Sequence, residues 1–147
     1  MLAIDRETDA ARVLARRLPA AWSRRLTTVI VPMEEMRLPS ADLVYASVSL
    51  PFCPPDRFPA LWPTIRKAVR PGGHFAGQLF GDRDEWQGDP SMTFHSRRAV
   101  NRLVRGWKAE LLRETDEDGQ SSEGPKRWHF FDLILEKPGR PRRNSGR

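Results

Sequence analysis

Cysteine is almost missing: Cys53 stands alone. A single thiol can form no internal disulfide and no cysteine-rich zinc site, and this poverty fits a reducing, cytoplasmic setting. No stretch reaches the ~18 consecutive apolar residues of a membrane-crossing helix, so no membrane partner is expected. The opening, Met1-Leu-Ala-Ile-Asp-Arg-Glu7, has no basic segment leading into an apolar run, and so does not read as a secretory signal. There is no internal repeat. The tryptophans (Trp22, Trp62, Trp86, Trp107, Trp128) are scattered rather than interleaved with basic residues. That gives no stacking ladder for single strands, and nucleic acid is not expected as a partner.

What is present is a 147-residue chain, 39% apolar and 30% charged, with room for one globular domain. Its net charge of +6 invites a nucleic-acid reading, but five cations (Lys137, Arg140, Arg142, Arg143, Arg147) fall in the last eleven residues, where there is no acid. Without them, residues 1–136 carry 20 cations against 19 acids. The excess therefore sits in a Pro/Gly/Arg/Ser tail that cannot build a core, and 138–147 is expected to be a basic disordered tail after a domain over 1–137.

Periodicity divides the body. Leu2-Ala3-Ile4 reads as a strand ending at Asp5. A helix follows to Leu18, with Thr8 as candidate cap and Ala10, Val13, Leu14 and Leu18 on one face; Pro19 stops it. Leu26–Val31 is β-branched and reads as a strand, followed by a loop over 33–40. Asp42–Val48 reads as a strand buried on both faces. After a proline-rich loop, a helix is expected over 57–69, capped by Asp56, with Pro63 forcing a kink or a late start. Arg70-Pro71-Gly72-Gly73 is a turn into a strand over 74–80, and 81–92 is a polar loop. Ser96 is expected to cap a helix to Val104. Strands over 107–115 and 127–136, joined through Asp118-Gly119, should pair antiparallel. Alternation of strands and helices calls for an α/β fold with a mostly parallel sheet.

Three segments in this order resemble the class I S-adenosylmethionine-dependent methyltransferases. They are Leu-Ala-Ile-Asp5-Arg6, an acid at a strand end; Ala41-Asp42-Leu-Val-Tyr-Ala-Ser-Val48; and Val69-Arg70-Pro71-Gly72-Gly73-His74-Phe75. Gly81-Asp-Arg-Asp-Glu-Trp86 with Met92-Thr-Phe-His-Ser96 is further similar to a small bacterial subgroup near the tellurite-resistance and thiopurine type. The resemblance implies a Rossmann-like sheet of order 3-2-1-4-5-7-6, S-adenosyl-L-methionine as cofactor, and methyl transfer to a small-molecule acceptor. It also exposes a departure: Met1 falls at the family's second strand, so the first strand, the glycine loop (D-x-G-x-G-x-G) and the first helix are lacking. An N-terminally truncated form is therefore expected, with a missing segment or a second chain, as in a dimer, completing the sheet.

By the same resemblance, Asp5 with Arg6 would take the cofactor's ribose hydroxyls, which suits an acceptor-only carboxylate; the plain alternative is an acid capping the next helix. Met33, Glu34 and Glu35 would meet the adenine, or else form a solvated loop. Ala46 and Ser47 would lie beside the methionine end, with Leu50 and Phe52 walling the acceptor, or simply packing. Arg83 and Trp86 would face the substrate, or else belong to a solvated loop with Trp86 as a lid or packing residue. Asp82, Asp84 and Glu85 could receive a cation; no metal is expected, because His95 lies ten residues beyond Glu85. Cys53 reads as a buried hydrophobe, since in-line methyl transfer needs no protein nucleophile. His129 reads as lining the pocket or as structural, and His74 as structural. No general base is evident, which suits a soft nucleophile such as a thiol or metalloid oxyanion. Two other readings stand beside transfer: an inactive remnant serving as an interaction module, and an RNA-associated protein acting through the tail. The glycine loop that would arbitrate against a nicotinamide dehydrogenase is lacking, but the Pro-Gly-Gly turn and terminal antiparallel pair fit that class less well.

Overall fold

The computed structural model describes residues 1–139, Ser23 by its backbone alone; most of the basic tail thus lies outside the described residues. The chain divides into two units, Met1–Arg37 and Leu38–Arg147.

In the first unit, two short apolar segments pair in parallel: β1 (Leu2–Asp5) and β2 (Thr27–Ile30), in register Leu2↔Thr27 to Asp5↔Ile30. They are connected by α1 (Thr8–Arg17) and α2 (Ala20–Ser23). Helix α1 opens one residue before the expected cap: Glu7 takes the cap position and Thr8 is the first helical residue. The cause is Asp5, whose Oδ1 accepts from the Glu7 amide at 2.8 Å and turns the chain early. Pro19 does end α1, and its fixed φ of −56° starts the four-residue α2, which periodicity had not marked.

The second unit holds a mixed sheet ordered β3-β4-β7-β6, with β3 (Ala41–Ala46), β4 (Val69–Gly81), β6 (Lys108–Ser121) and β7 (Gly124–Glu136). The pair β3/β4 is parallel, while β7 runs antiparallel to both β4 and β6. A two-residue strand, β5 (Phe94–His95), adds in parallel to β4. Helices α3 (Phe58–Ala68) and α4 (Arg97–Leu103) cover one face. There Phe75, Leu79, Phe131, Leu133 and Leu135 meet Leu61, Trp62, Ile65 and Val100, and all are buried. The Trp62 indole donates to the Leu103 carbonyl at 3.0 Å, tying the two helices. Lys137 sends its ammonium to the Arg66 and Val69 carbonyls, each at 2.7 Å, where a cation satisfies the open end of α3.

Several expectations are corrected. Strand β3 is not buried on both faces: Leu43 is 58% and Tyr45 70% exposed, because both helices of this unit pack on the opposite face. Asp56 does not cap α3; Arg57 does, without a side-chain bond. Nor does Pro63 delay it. The acceptor that Pro63 leaves without a donor is the carbonyl of the exposed Pro59, in the first turn. Asp118 and Gly119 are no connection but lie inside β6, which continues with β7 as a two-stranded ribbon to the register pair Ser121↔Gly124. The turn is Ser122-Glu123, held by the Ser121 hydroxyl and by Gly124 at φ +120°. Ser96 caps α4 as expected, accepting from the Ala99 amide at 3.2 Å. In the Pro-Gly-Gly segment Gly72 takes φ +80°, while its amide and that of Lys137 tie this stretch to the end of β7.

His95 lies against the Phe58 ring at 4.6 Å, and its Nε2 has no partner among the described residues. Burial pushes this imidazole down to about 4. Between pH 6.5 and 4 an unfolded chain would therefore bind a proton that the folded chain refuses, and stability falls as pH falls through that window. The expected loss is about 3 kcal/mol by pH 4, at ~1.4 kcal/mol per pH unit. His95→Phe should remove this part of the slope. Equal slopes for both proteins in urea melts at pH 6.5 and 4 would refute the assignment.

Candidate functional site

Each unit carries part of the expected constellation. In the first, Asp5 is exposed at the end of β1. Its Oδ1 holds the Glu7 amide, and its Oδ2 has no partner among the described residues. Arg6 pairs with Glu7 at 3.3 Å. Met33, Glu34 and Glu35 form a single 3-10 turn after β2, the two glutamates exposed. Asp5 thus partly takes the plainer role, bracing the entry to α1, and keeps one acceptor oxygen open.

In the second unit, Ala46 ends β3 and Ser47 follows it, its hydroxyl donating to Gln78 Oε1 at 3.4 Å. Val48 then adopts φ +48°, a conformation β-branched residues rarely take and one that clusters at functional mouths. Leu50 does not wall a pocket: it is 2% exposed, turned into the core by the 3-10 turn Leu50–Phe52. Phe52 stays partly open and sets its edge on Phe80, centroids 6.4 Å apart. Cys53 is buried.

The acidic stretch after β4 is not an open receiver. Asp84 turns inward and meets the chain's own Lys126 at 2.5 Å, both side chains almost wholly buried. The remaining Asp84 contacts are backbone: Trp86 N–H donates to Oδ1 at 3.0 Å and His129 N–H to Oδ2 at 3.1 Å. The Lys126 ammonium is boxed by rings, 3.8 Å from the centroid of Trp128, 4.3 Å from Trp86 and 5.4 Å from Phe80. Such contacts are strongest when desolvated. Trp86 is therefore one wall of a box that an internal cation fills, rather than a free lid. Glu85 accepts from the Arg127 amide at 2.8 Å.

Arg83, by contrast, stays exposed and lies along the strands. It donates to Asp116 at 2.7 Å and to Glu114 at 2.9 Å, and these bonds hold its guanidinium more firmly protonated than usual. Glu114 is held below the ordinary carboxylate range, first by its bond with His129 and then by Arg83 and Arg97. His129 is fully buried. Its Nδ1 accepts from the Arg83 amide at 2.9 Å, which puts the ring proton on Nε2, facing Glu114 at 2.9 Å. With both nitrogens used, the structural reading of His129 prevails over the pocket-lining one. His74 lies 3.5 Å from Glu110 on the sheet's open face, where Glu110 and Glu136 also share the Lys108 ammonium.

On that open face, beside Ser47, is a concavity of about 220 Å³ lined by Val48, Gln78, Phe80, Glu117, Trp128 and Phe130. Sequence reading named none of the six as wall residues. The signal was there: alternation along β4 and β7 puts Gln78 and Phe80 on the same face as Trp128 and Phe130, and Phe80 is the register partner of Phe130.

No protein-family model and no curated protein matches the sequence. Solved structures do match in fold. TehB from Haemophilus influenzae superposes with a TM-score of 0.75 at 12% identity, over 92% of this chain and 49% of that one. The N-methyltransferase NodS from Bradyrhizobium japonicum WM9, in complex with S-adenosyl-L-homocysteine, gives 0.68 at 13%, over 93% and 66%. A S-adenosylmethionine-dependent methyltransferase from Mesorhizobium loti gives 0.64 at 17%, over 92% and 79%. The chain spans about half the length of TehB. At these identities the likeness is one of fold, and the chain is built on the α/β plan of S-adenosylmethionine-dependent methyltransferases.

Proposed function

We propose that the protein serves S-adenosyl-L-methionine-dependent methyl transfer to a small acceptor, in the neighbourhood of the tellurite-resistance and thiopurine type. The supporting observation is the order β3-β4-β7-β6 with β7 reversed, which matches the 4-5-7-6 half of the methyltransferase sheet; β1 and β2, in the other unit, have the parallel pairing expected of the second and third strands. Residues within each unit suit parts of the cofactor, the ribose and adenine in the first and the methionine end in the second. The open Asp5 oxygen suits ribose hydroxyls, helped by Arg6. Met33, Glu34 and Glu35 suit the adenine, and Ala46 with Ser47 the methionine end. When bound, the cofactor supplies an electrophilic sulfonium methyl. The chain's own task is positioning: to hold the acceptor's lone pair in line with that methyl and to keep water away.

Nothing in this sequence supplies the glycine loop. Strand β3 has no partner on its outer edge among the described residues, and Leu43 and Tyr45 are exposed beside it. An unpaired edge with apolar flanks is costly. We infer that a further strand pairs there, from a segment preceding this sequence or from a second copy. The same edge is what an inactive interaction module would offer, so one titration separates the readings. S-adenosylhomocysteine should bind the reading frame extended upstream, or residues 1–147 as a dimer, and not residues 1–147 as a monomer. No binding by any form would refute transfer; equal binding by the monomer would refute the need for a further strand.

A further inference from the structure

The concavity beside Ser47 has a definite polar character. The Gln78 Nε2 donates to Asp132 at 2.7 Å, and Asp132 is held in turn by Arg113 at 2.6 Å. An ionised carboxylate only accepts, so the amide cannot flip, and Gln78 must present its oxygen to Ser47 and the cavity. The Trp128 indole N–H is spent on the Gln120 carbonyl at 3.2 Å. Glu117, the remaining polar wall, has neither a hydrogen bond nor an ion pair among the described residues, whereas Glu114 and Asp116 on the same strand are matched by arginines. Lys126 lies beside the shared rings, but its charge is met by Asp84. The wall is thus Val48, three aromatic side chains, an amide oxygen and an unmatched carboxylate: it offers acceptors and no positive charge of its own, and the Ser47 hydroxyl proton at its mouth already goes to the amide oxygen.

We propose that this pocket takes an organic amine as its ligand, with N–H groups on Gln78 Oε1 and Glu117 and the ammonium charge against the faces of Trp128 and Phe130. A volume of about 220 Å³ admits a one-ring amine, since cavities of about 150 Å³ take benzene. Resting on the transferase reading, the amine is the methyl acceptor. The ammonium gives one proton to the Glu117 carboxylate. With the cofactor bound, its sulfonium would supply the methyl and keep the carbon–sulfur electron pair, and the lone pair freed by Glu117 would form the nitrogen–carbon bond, so that the positive charge would end on the methylammonium. Glu117 thus answers the apparent want of a base, and an amine replaces the soft nucleophile as acceptor class.

The test uses residues 1–147 and three probes of one shape: benzylammonium, benzyl alcohol and benzoate, followed by the NMR signals of the Trp128 indole and the Phe130 ring. Benzylammonium should bind most tightly and benzoate least. Glu117→Gln, an exposed change that leaves the fold intact, should weaken benzylammonium about tenfold, the worth of one charge-assisted contact, and leave benzyl alcohol unchanged. Benzoate binding as well as benzylammonium, no shift with benzylammonium, or an indifferent Glu117→Gln would each overturn the assignment. Titration with S-adenosylhomocysteine is scored separately: its failure in every form of the protein removes the transferase reading, while the ammonium preference stands or falls on the three probes.

Discussion

Asp84→Ala is expected to destabilise the protein by about 3–5 kcal/mol, because it strands a buried ammonium without its counter-charge. Against a typical total of roughly 5–15 kcal/mol, that is enough to unfold a sizeable fraction at room temperature. The carboxylate does more than balance Lys126: it also receives the Trp86 and His129 amides, and the variant leaves both donors buried and unmet. Pairing the change with Lys126→Met should recover a large part of the loss, since an apolar chain fits among Phe80, Trp86 and Trp128 without a charge. Urea unfolding of the two single variants and the double variant closes the cycle. A single-variant cost below about 1 kcal/mol, typical of a surface pair, would show that water reaches the box.

Gly81→Ala should be comparably severe, for a reason of space alone. A Cβ built on Gly81 would lie 2.0–2.4 Å from three atoms of the His129 ring. That ring cannot rotate aside, because the Arg83 amide holds one nitrogen and Glu114 the other. Overpacking of well-packed positions costs about 1–3 kcal/mol, and here two buried hydrogen bonds would be lost with it. We expect a loss of about 3 kcal/mol or more. If Gly81→Ala melts with the wild type while His129→Ala does not, the packing described for this ring is wrong.

Much of the plan could be read from the sequence where one physical signal dominated. The alternation through Phe131, Leu133 and Leu135 marks a half-buried strand whatever surrounds it, and Ser96 before a helical stretch is a cap by local chemistry alone. The failures have a common root in long-range partners. Asp118-Gly119 carries a turn signal, but the thirteen register pairs of the β6/β7 hairpin outweigh one favourable dipeptide, and the reversal comes later. Asp84 looked like its exposed neighbours Asp82 and Glu85, because the partner that draws it inward, Lys126, is 42 residues away. Leu43 and Tyr45 read as core because they are apolar, and hydrophobicity cannot tell which face of a strand has a helix over it. Asp5 and Ala46 could be placed at strand ends from the sequence, with Ser47 directly after, and the structure has them there. Gln78 and Glu117 could not be singled out, since an amide and a carboxylate on separate strands acquire meaning only once register sets them around one hollow.

The segment after β4 has a further bearing on how a ligand could arrive. Its amides and carboxylates are stitched to β7 at successive steps: Arg83 to the His129 ring, Asp84 to the His129 amide, Glu85 to the Arg127 amide and carbonyl. A loop fastened so often does not swing as a flap. The backing of the aromatic wall is therefore fixed in place, and a molecule settling on Trp128 would meet a hollow already formed rather than one closed over it.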